Sequence, residues 1–325
     1  MAQAKGMEAQ VLGGVKEATY NTHPNVANGS TIKLPVIYPV ALNASRNLIK
    51  SNVIRGRRDS YKPYQGNMDL NGTLNVPLDL INIGYWLQMM FGDPTTTGNS
   101  APYTHVFDVP DSLDSWVIEL GYTDIAQYFR YNGIKASSMG FSFGGDGEMQ
   151  VSVGLVGSGS EAIATTAMDG GTPTTQTFTP FYFSQAAIKE GGSTIATVSS
   201  CNFTIDNGLG TGAENYLIGG GGARGILTAG ECMVTGTLSA VFENVTLYNK
   251  AVAGTESSIQ ITVTNGAYSL DLLLGEIMYD KRQPGVPGPA GIFVEMPFQA
   301  YYDNASPDKT AFQATLVNTL AAYVA

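Results

Sequence analysis

Gly66-Asn-Met-Asp-Leu-Asn-Gly-Thr-Leu74 leads into an apolar run, Val76–Phe91, that stops at Gly92. A second copy, Gly230-Glu-Cys-Met-Val-Thr-Gly-Thr-Leu238, leads into Val241–Ala253 and stops at Gly254. Both copies read Gly, five residues, Gly-Thr-Leu, and the residues between alternate polar and apolar. That period of two belongs to a strand, and the glycines mark turns or close backbone approach. Each apolar run is long enough for three or four helical turns and ends on a Gly suited to a left-handed C-terminal cap. In the first run Leu80, Ile83, Leu87 and Met90 share one helical face, and Ile81, Tyr85, Trp86, Met89 and Phe91 widen it around the circumference. Such a helix must be buried on most sides. A strand-to-helix unit recurring at about half the chain length reads as domain duplication, with coincidence of a short match as the alternative.

The 325 residues suffice for two domains of ordinary size. Only 14% are charged, well below the roughly 25% of an ordinary globular chain. Either Thr and Ser cover the outer faces of a mostly β protein, or partners cover much of the surface. The net charge of −10 argues against holding nucleic acid by neutralising phosphates, though not against a protein that must avoid holding it. The first residues lack the apolar core of a secretory signal and no run is long enough to span a membrane, so synthesis in a cytoplasm is expected. Cys201 and Cys232 are then expected as reduced thiols.

Along the chain, residues 1–30 are polar and read as an arm that orders against something else. Leu34–Ala41 has strand character, demoted to an edge by Pro35 and Pro39. Residues 44–62 hold Arg46, Lys50, Arg55, Arg57, Arg58 and Lys62, six of the 17 Lys and Arg. A polyanion-binding patch is one reading; a solvated or subunit-facing hairpin suits so acidic a chain better. Alternating apolar residues place strands at Trp116–Tyr122, Met149–Val156, Val198–Asp206, Ser257–Asn265 and Ser269–Leu274, with Ala311–Val317 read as a closing strand. A first domain over 31–160, a Ser/Gly/Ala/Thr linker over 161–177 and a second domain over 178–325 follow.

Chemistry is hard to find. His23 and His105 are the only histidines, and no metalloprotease, paired-cysteine or nucleophile-elbow motif occurs. The Gly-rich runs 208–212 and 219–222 lack the Lys-Ser/Thr of a phosphate loop and read as hairpin loops. Asp108, Asp111 and Asp114 lack the Gly and closing Glu of a calcium loop. No enzyme, metal or cofactor is expected.

The order of these segments resembles a tail tube protein (major tail protein) of tailed bacteriophages. The resemblance rests on the hairpin before Gly66–Leu74, the helix ending at Phe91-Gly92, Tyr103-Thr-His-Val-Phe107, Trp116–Tyr122, Gly133–Ser142 and Met149-Gln-Val-Ser-Val153. Phe203-Thr-Ile-Asp-Asn207 and Gly230–Leu238 then open a second domain. It implies a mainly β fold of two tandem β-sandwich or barrel domains, each with one flanking helix. It also implies a virion protein that self-assembles into stacked rings around a channel for double-stranded DNA. Partners implied are further copies and tape-measure, tail-tip and terminator proteins, without membrane insertion. Three chains as a pseudo-hexamer are favoured over six by the duplication. Carboxylates facing the lumen let DNA slide without sticking, and Asp69, Glu119, Asp146 and Glu148 are the candidates. Residues 1–30 and 44–62 are candidates for contacts between subunits or rings. A terminator or sheath-like part, or a secreted carbohydrate-binding sandwich, are the rivals.

Overall fold

Alternating hydrophobicity dominates the architecture, because almost every apolar alternation in the sequence becomes a strand. The computed structural model describes residues 3–323 apart from 196, 287, 290 and 303–308. β1 (Ala9–Lys16) and β2 (Ile32–Leu34) precede a long hairpin of β3 (Ile37–Ile49) and β4 (Tyr64–Pro77), and α1 (Ile83–Phe91) follows. Next come β5 (Thr95–Thr97), β6 (Tyr103–Asp108), β7 (Trp116–Tyr122), β8 (Gln127–Phe143), β9 (Gln150–Gly157) and β10 (Glu161–Ala164). The second half contains β11 (Ala186–Glu190), β12 (Ser193–Thr194), β13 (Val198–Asp206), β14 (Met233–Val241) and α2 (Thr246–Ala253). It ends with β15 (Ser257–Asn265), β16 (Tyr268–Tyr279), β17 (Phe293–Ala300) and β18 (Gln313–Asn318). The fold is mainly β with two α-helices, and hydrogen bonds join the 18 strands into one sheet network.

The pairing order of the first half recurs in the second. β3 pairs β4, β4 pairs β9, β9 pairs β8, and β8 pairs β7 and β10. In the same sequence order β13 pairs β14, β14 pairs β17, β17 pairs β16, and β16 pairs β15 and β18. β1 lies between β2 and β7 as β11 lies between β12 and β15. Among the described residues only β5 and β6 have no counterpart. The registers agree too: Gly72 faces Leu42 and Leu155, and Gly236 faces Phe203 and Phe298.

Both repeated glycines sit where strands close in. A Cβ on Gly72 would land on the Ala41 carbonyl, and one on Gly236 would meet the Asn202 carbonyl and the Phe298 ring. The Gly-x5-Gly-Thr-Leu pattern is therefore a packing requirement, met twice.

The two helices start later than the apolar runs do, at Ile83 and Thr246, because Val76 and Pro77 still belong to β4 and Val241 to β14. Their environments differ. All nine residues of α1 are buried, whereas none of α2 is. α1 lacks the length to stand alone, so its stability comes from Trp86, Leu87 and Met90, each almost fully buried. α2 is tied instead by Lys250, whose Nζ donates to Glu190 at 2.6 Å and to the Ser257 hydroxyl at 3.0 Å. Gly92 and Gly254 both take positive φ, at 80° and 61°, but only Gly254 adopts the left-handed helical conformation.

The halves interlock. β13 adds to β8, and β18 adds to β6. Phe141 of β8 stacks on Phe203 of β13 with centroids 5.0 Å apart, and Phe91 of α1 stacks on Phe312 at 5.1 Å. One hydrophobic cluster runs through both halves.

Two segments depart from expectation. Residues 9–16, within the expected arm, form β1, with Val11 and Leu12 buried between β2 and β7. Gly13 and Gly14 interrupt the apolar alternation there, which hid the strand. Residues 161–177, expected as a linker, begin with β10 and continue into buried Ala167, Met168 and Asp169; Asp169 accepts a hydrogen bond from the Thr31 hydroxyl. Small residues signal a linker only when nothing packs on them.

Candidate functional site

The register of eight strands, β3-β4-β9-β8-β13-β14-β17-β16, produces one broad face opposite the core. Side chains alternate across a strand, so each buried residue implies outward neighbours. In β13, Cys201, Phe203 and Ile205 are buried while Asn202, Thr204 and Asp206 are exposed. The cross-strand partners of Asn202 and Thr204 are small or hydroxylic, Ser142 and Gly140 on β8 and Thr237 and Thr235 on β14, while Asp206 stands between Ser138 and the exposed Met233. Asn43, Asn71 and Thr73 continue it across β3 and β4, and Ser152 across β9.

Across its middle the face is polar and made of short side chains, while exposed Met233, Val241, Met278 and Phe293 interrupt it on β14, β16 and β17. At the outward positions just named no Lys or Arg occurs. Among the described residues three cations lie on or beside it: Lys135 on β8, opposite Val156 and over the Tyr20 ring; Arg224, paired with Asp69; and Arg282, past the end of β16, with Nη1 3.7 Å from Glu295. Hydrogen bonds between neighbours hold the short side chains, as where the Ser142 hydroxyl donates to Asn202 Oδ1 at 2.7 Å. Such positions offer hydroxyls and amides, which hydrogen-bond a phosphate, but no cation to form a charge-assisted pair with one.

The four expected carboxylates do not form one set. Asp69 stands on β4 opposite Ser45, on this face, but Arg224 and Asn71 both donate to it. Asp146 and Glu148 are exposed in the turn between β8 and β9, at the rim. Glu119 is a correction: it is fully buried on β7, where Arg130 Nε donates to it at 2.7 Å. Burial pushes its carboxyl above the usual range, and Arg130 draws it partly back. Period-two reading put Glu119 on a strand but not on a face, because β7 is covered on both sides, with six of its seven residues buried.

Two carboxylates were missed. Asp206 on β13 and Glu295 on β17 are exposed on the polar face, opposite Ser138 and Ser239. The signal was present for Asp206, which follows Asn202 and Thr204 at alternate positions.

Of the basic residues, Arg46 lies on β3, and Lys50, Arg55, Arg57, Arg58 and Lys62 cluster at the hairpin tip between β3 and β4. Arg46 donates Nε to the Gly66 carbonyl at 2.7 Å, Arg57 meets Asp59 at 3.2 Å, and Arg55 lies over the Tyr61 ring. Lys50, Arg58 and Lys62 are exposed, as are the apolar Val53 and Ile54 beside them. The corresponding loop of the second half, between β13 and β14, is folded down on the first half. There Arg224 donates to the Gly157 carbonyl and Tyr216 to the Met68 carbonyl, both at 2.9 Å. Cys201 and Cys232 are free, and burial pushes their thiols up to about 12 and about 11. Thiolate is scarce at neutral pH and both are poor nucleophiles. Among the described residues no helix is long and apolar enough to cross a membrane.

Compared with known families, residues 8–300 match the model of the family described as Phage tail tube protein. A search of curated proteins finds no match.

Proposed function

The chain belongs to the phage tail tube protein family, and from that premise we propose that its copies close into rings and stack into a tube, with the polar sheet face inward around the DNA. The observation that carries this is the face itself: eight strands wide, rich in hydroxyls and amides, with Asp206 and Glu295 exposed and its one strand-borne cation among the described residues, Lys135, half-buried over the Tyr20 ring. Duplex DNA carries one charge per about 1.7 Å, so each fixed cation would add a phosphate contact that must break as the genome moves. Ser, Thr and Asn offer only exchangeable hydrogen bonds, and the carboxylates repel. The fold supplies a wall that DNA touches without binding.

Three chains per ring follow from the recurring strand order. Each chain carries two equivalent four-stranded units, β3-β4-β9-β8 and β13-β14-β17-β16, already joined edge to edge. A six-unit ring then needs three chains. Tape-measure, tail-tip and terminator proteins are the partners at the tube's interior and ends. The basic hairpin tip at 50–63, exposed and partly apolar, makes contacts between subunits or rings.

Electron microscopy of the purified chain at rising concentration, with tail-tip proteins added as initiator, tests the reading. Hollow tubes with three-fold end-on averages are expected. Persistent monomers with initiator present overturn it, and strict six-fold averages overturn the count of three.

A further inference from the structure

The joint between the two halves is a pattern for a joint between chains. Inside the chain, Ser138–Phe143 of β8 pairs with Asp206–Cys201 of β13. The counterpart of β13 is β3, whose only ladder partner among the described residues is β4, so its other edge is open there and its outward residues are exposed. The counterpart of β8 is β16, which stops at Tyr279 where β8 continues to Phe143. Residues 280–285 have no strand partner opposite β17, yet they follow the course a strand takes. Asp280 donates its N–H to the Pro297 carbonyl at 2.8 Å, continuing the ladder with β17. Arg282 reaches Glu295 on the polar face, and Lys281 points the other way, over the Tyr248 ring of α2. That alternation is a strand's.

We propose that residues 280–285 of one chain pair antiparallel with residues 40–45 of β3 in the next chain, in the register that joins β8 to β13. The proposal rests on the ring reading above and supplies its interface. The register comes from the repeat. Gly72 and Gly236 align Leu42 with Phe203, so 40–45 stand where 201–206 stand. Pro297 occupies the place of Gly154, which pairs Ser138, so Asp280 stands where Ser138 stands. The bulge in β8 between Ala136 and Ser138 has no counterpart before Asp280, which accounts for the one-residue difference in spacing. Asp280 then faces Ser45, Arg282 faces Asn43, and Pro284 faces Ala41. Closing this joint removes the open edge of β3, a hazard for any free chain. It also explains why β16 ends early: its last residues lack the strand that would order them.

Two double variants test the register, Asn43→Cys with Arg282→Cys and Ser45→Cys with Asp280→Cys, oxidised in assembled tubes and in dilute free chain. Antiparallel neighbours lie about 4.5–5.5 Å apart, within disulfide reach. The expected result is inter-chain cross-linked products on a denaturing gel from tubes and none from dilute chain. In the unmodified protein, amide exchange in 40–45 and 280–285 is expected to slow at least about 100-fold on assembly. This second measurement decides if the variants do not assemble. Tubes whose 280–285 amides exchange as in the free chain overturn the joint and leave the ring reading standing. Absence of tubes from the unmodified chain with initiator overturns both.

Discussion

Tyr323 donates its hydroxyl to the Ile81 carbonyl at 2.7 Å, across 242 residues of sequence. The ring packs edge-on against Tyr85 and His105, each with its centroid 4.9 Å away, and Asn318 donates to the same hydroxyl at 2.7 Å. The end of the second half thus caps the start of α1 in the first. Tyr323→Phe removes one of two donors to the buried Ile81 carbonyl, Gly84 N–H remaining at 3.1 Å, and is expected to cost about 0.5–1.5 kcal/mol. Tyr323→Ala adds a cavity and is expected to cost about 3–5 kcal/mol. Urea unfolding of the unassembled chain measures both, and equal losses for the two would refute the hydrogen-bond assignment.

Asp79 governs a pH dependence. It is fully buried beneath α1, accepting from Ile83 N–H at 3.0 Å and Asn82 Nδ2 at 2.6 Å, and burial pushes its carboxyl up to about 6. The folded state therefore holds the proton more tightly than the unfolded chain. Its stabilising contribution is full below about pH 4 and lost as pH rises through about 6, amounting to about 3 kcal/mol. Burial shifts Glu17 and Glu119 in the same direction. Asp79→Asn is expected to flatten the slope and raise stability at pH 7.5. Asn82 Oδ1, which has no hydrogen-bond partner, can turn to accept from the new amide. Unfolding midpoints at pH 4.5 and 7.5 decide; an unchanged slope removes Asp79 from the account.

The repeated glycines give a comparison between halves. Gly72→Ala and Gly236→Ala both drive a methyl into a backbone carbonyl of the adjacent strand. Each is expected to destabilise by about 1–3 kcal/mol, read by thermal unfolding. If either is neutral, the motif is not a close-approach site and the sequence repeat loses its physical basis.

These glycines show why the strand framework was legible in the sequence. A position where only hydrogen fits, followed by Thr-Leu and an apolar run, leaves a readable trace in both halves. Period-two alternation likewise marked β7, β9, β13 and β15. It could not separate the faces of a strand covered on both sides, and Glu119 lies on such a strand, whereas Asp206, at an alternate position after Asn202 and Thr204, was legible. Nor could it reveal that α1 is buried throughout while α2 only rests Leu247 and Ala251 on the core, since that depends on what packs across each helix. The arm and linker were misread for a related reason: Val11, Leu12, Met168 and Asp169 are buried by partners far along the chain.

The last prediction concerns the polar face. Thr73 and Thr235 are exposed on β4 and β14, pointing away from the core, so Lys at either adds one cation per chain without disturbing packing. Thr73→Lys and Thr235→Lys tubes are expected to assemble as the parent does. DNA contact then becomes salt-dependent, since each phosphate neutralised contributes a slope of about 0.9 in log affinity against log salt. DNA release from assembled particles is expected to slow at low ionic strength and to recover as salt is raised, because screening lengths fall from about 30 Å at 0.01 M to about 8 Å at 0.15 M. Thr73→Glu and Thr235→Glu are the matched controls, adding a charge of the sign already on the face, and are expected to release DNA at the parental rate. If the Lys and Glu variants release DNA alike at every salt concentration, the face does not line the channel, and the carboxylates at the rim, Asp146 and Glu148, become the positions to invert next.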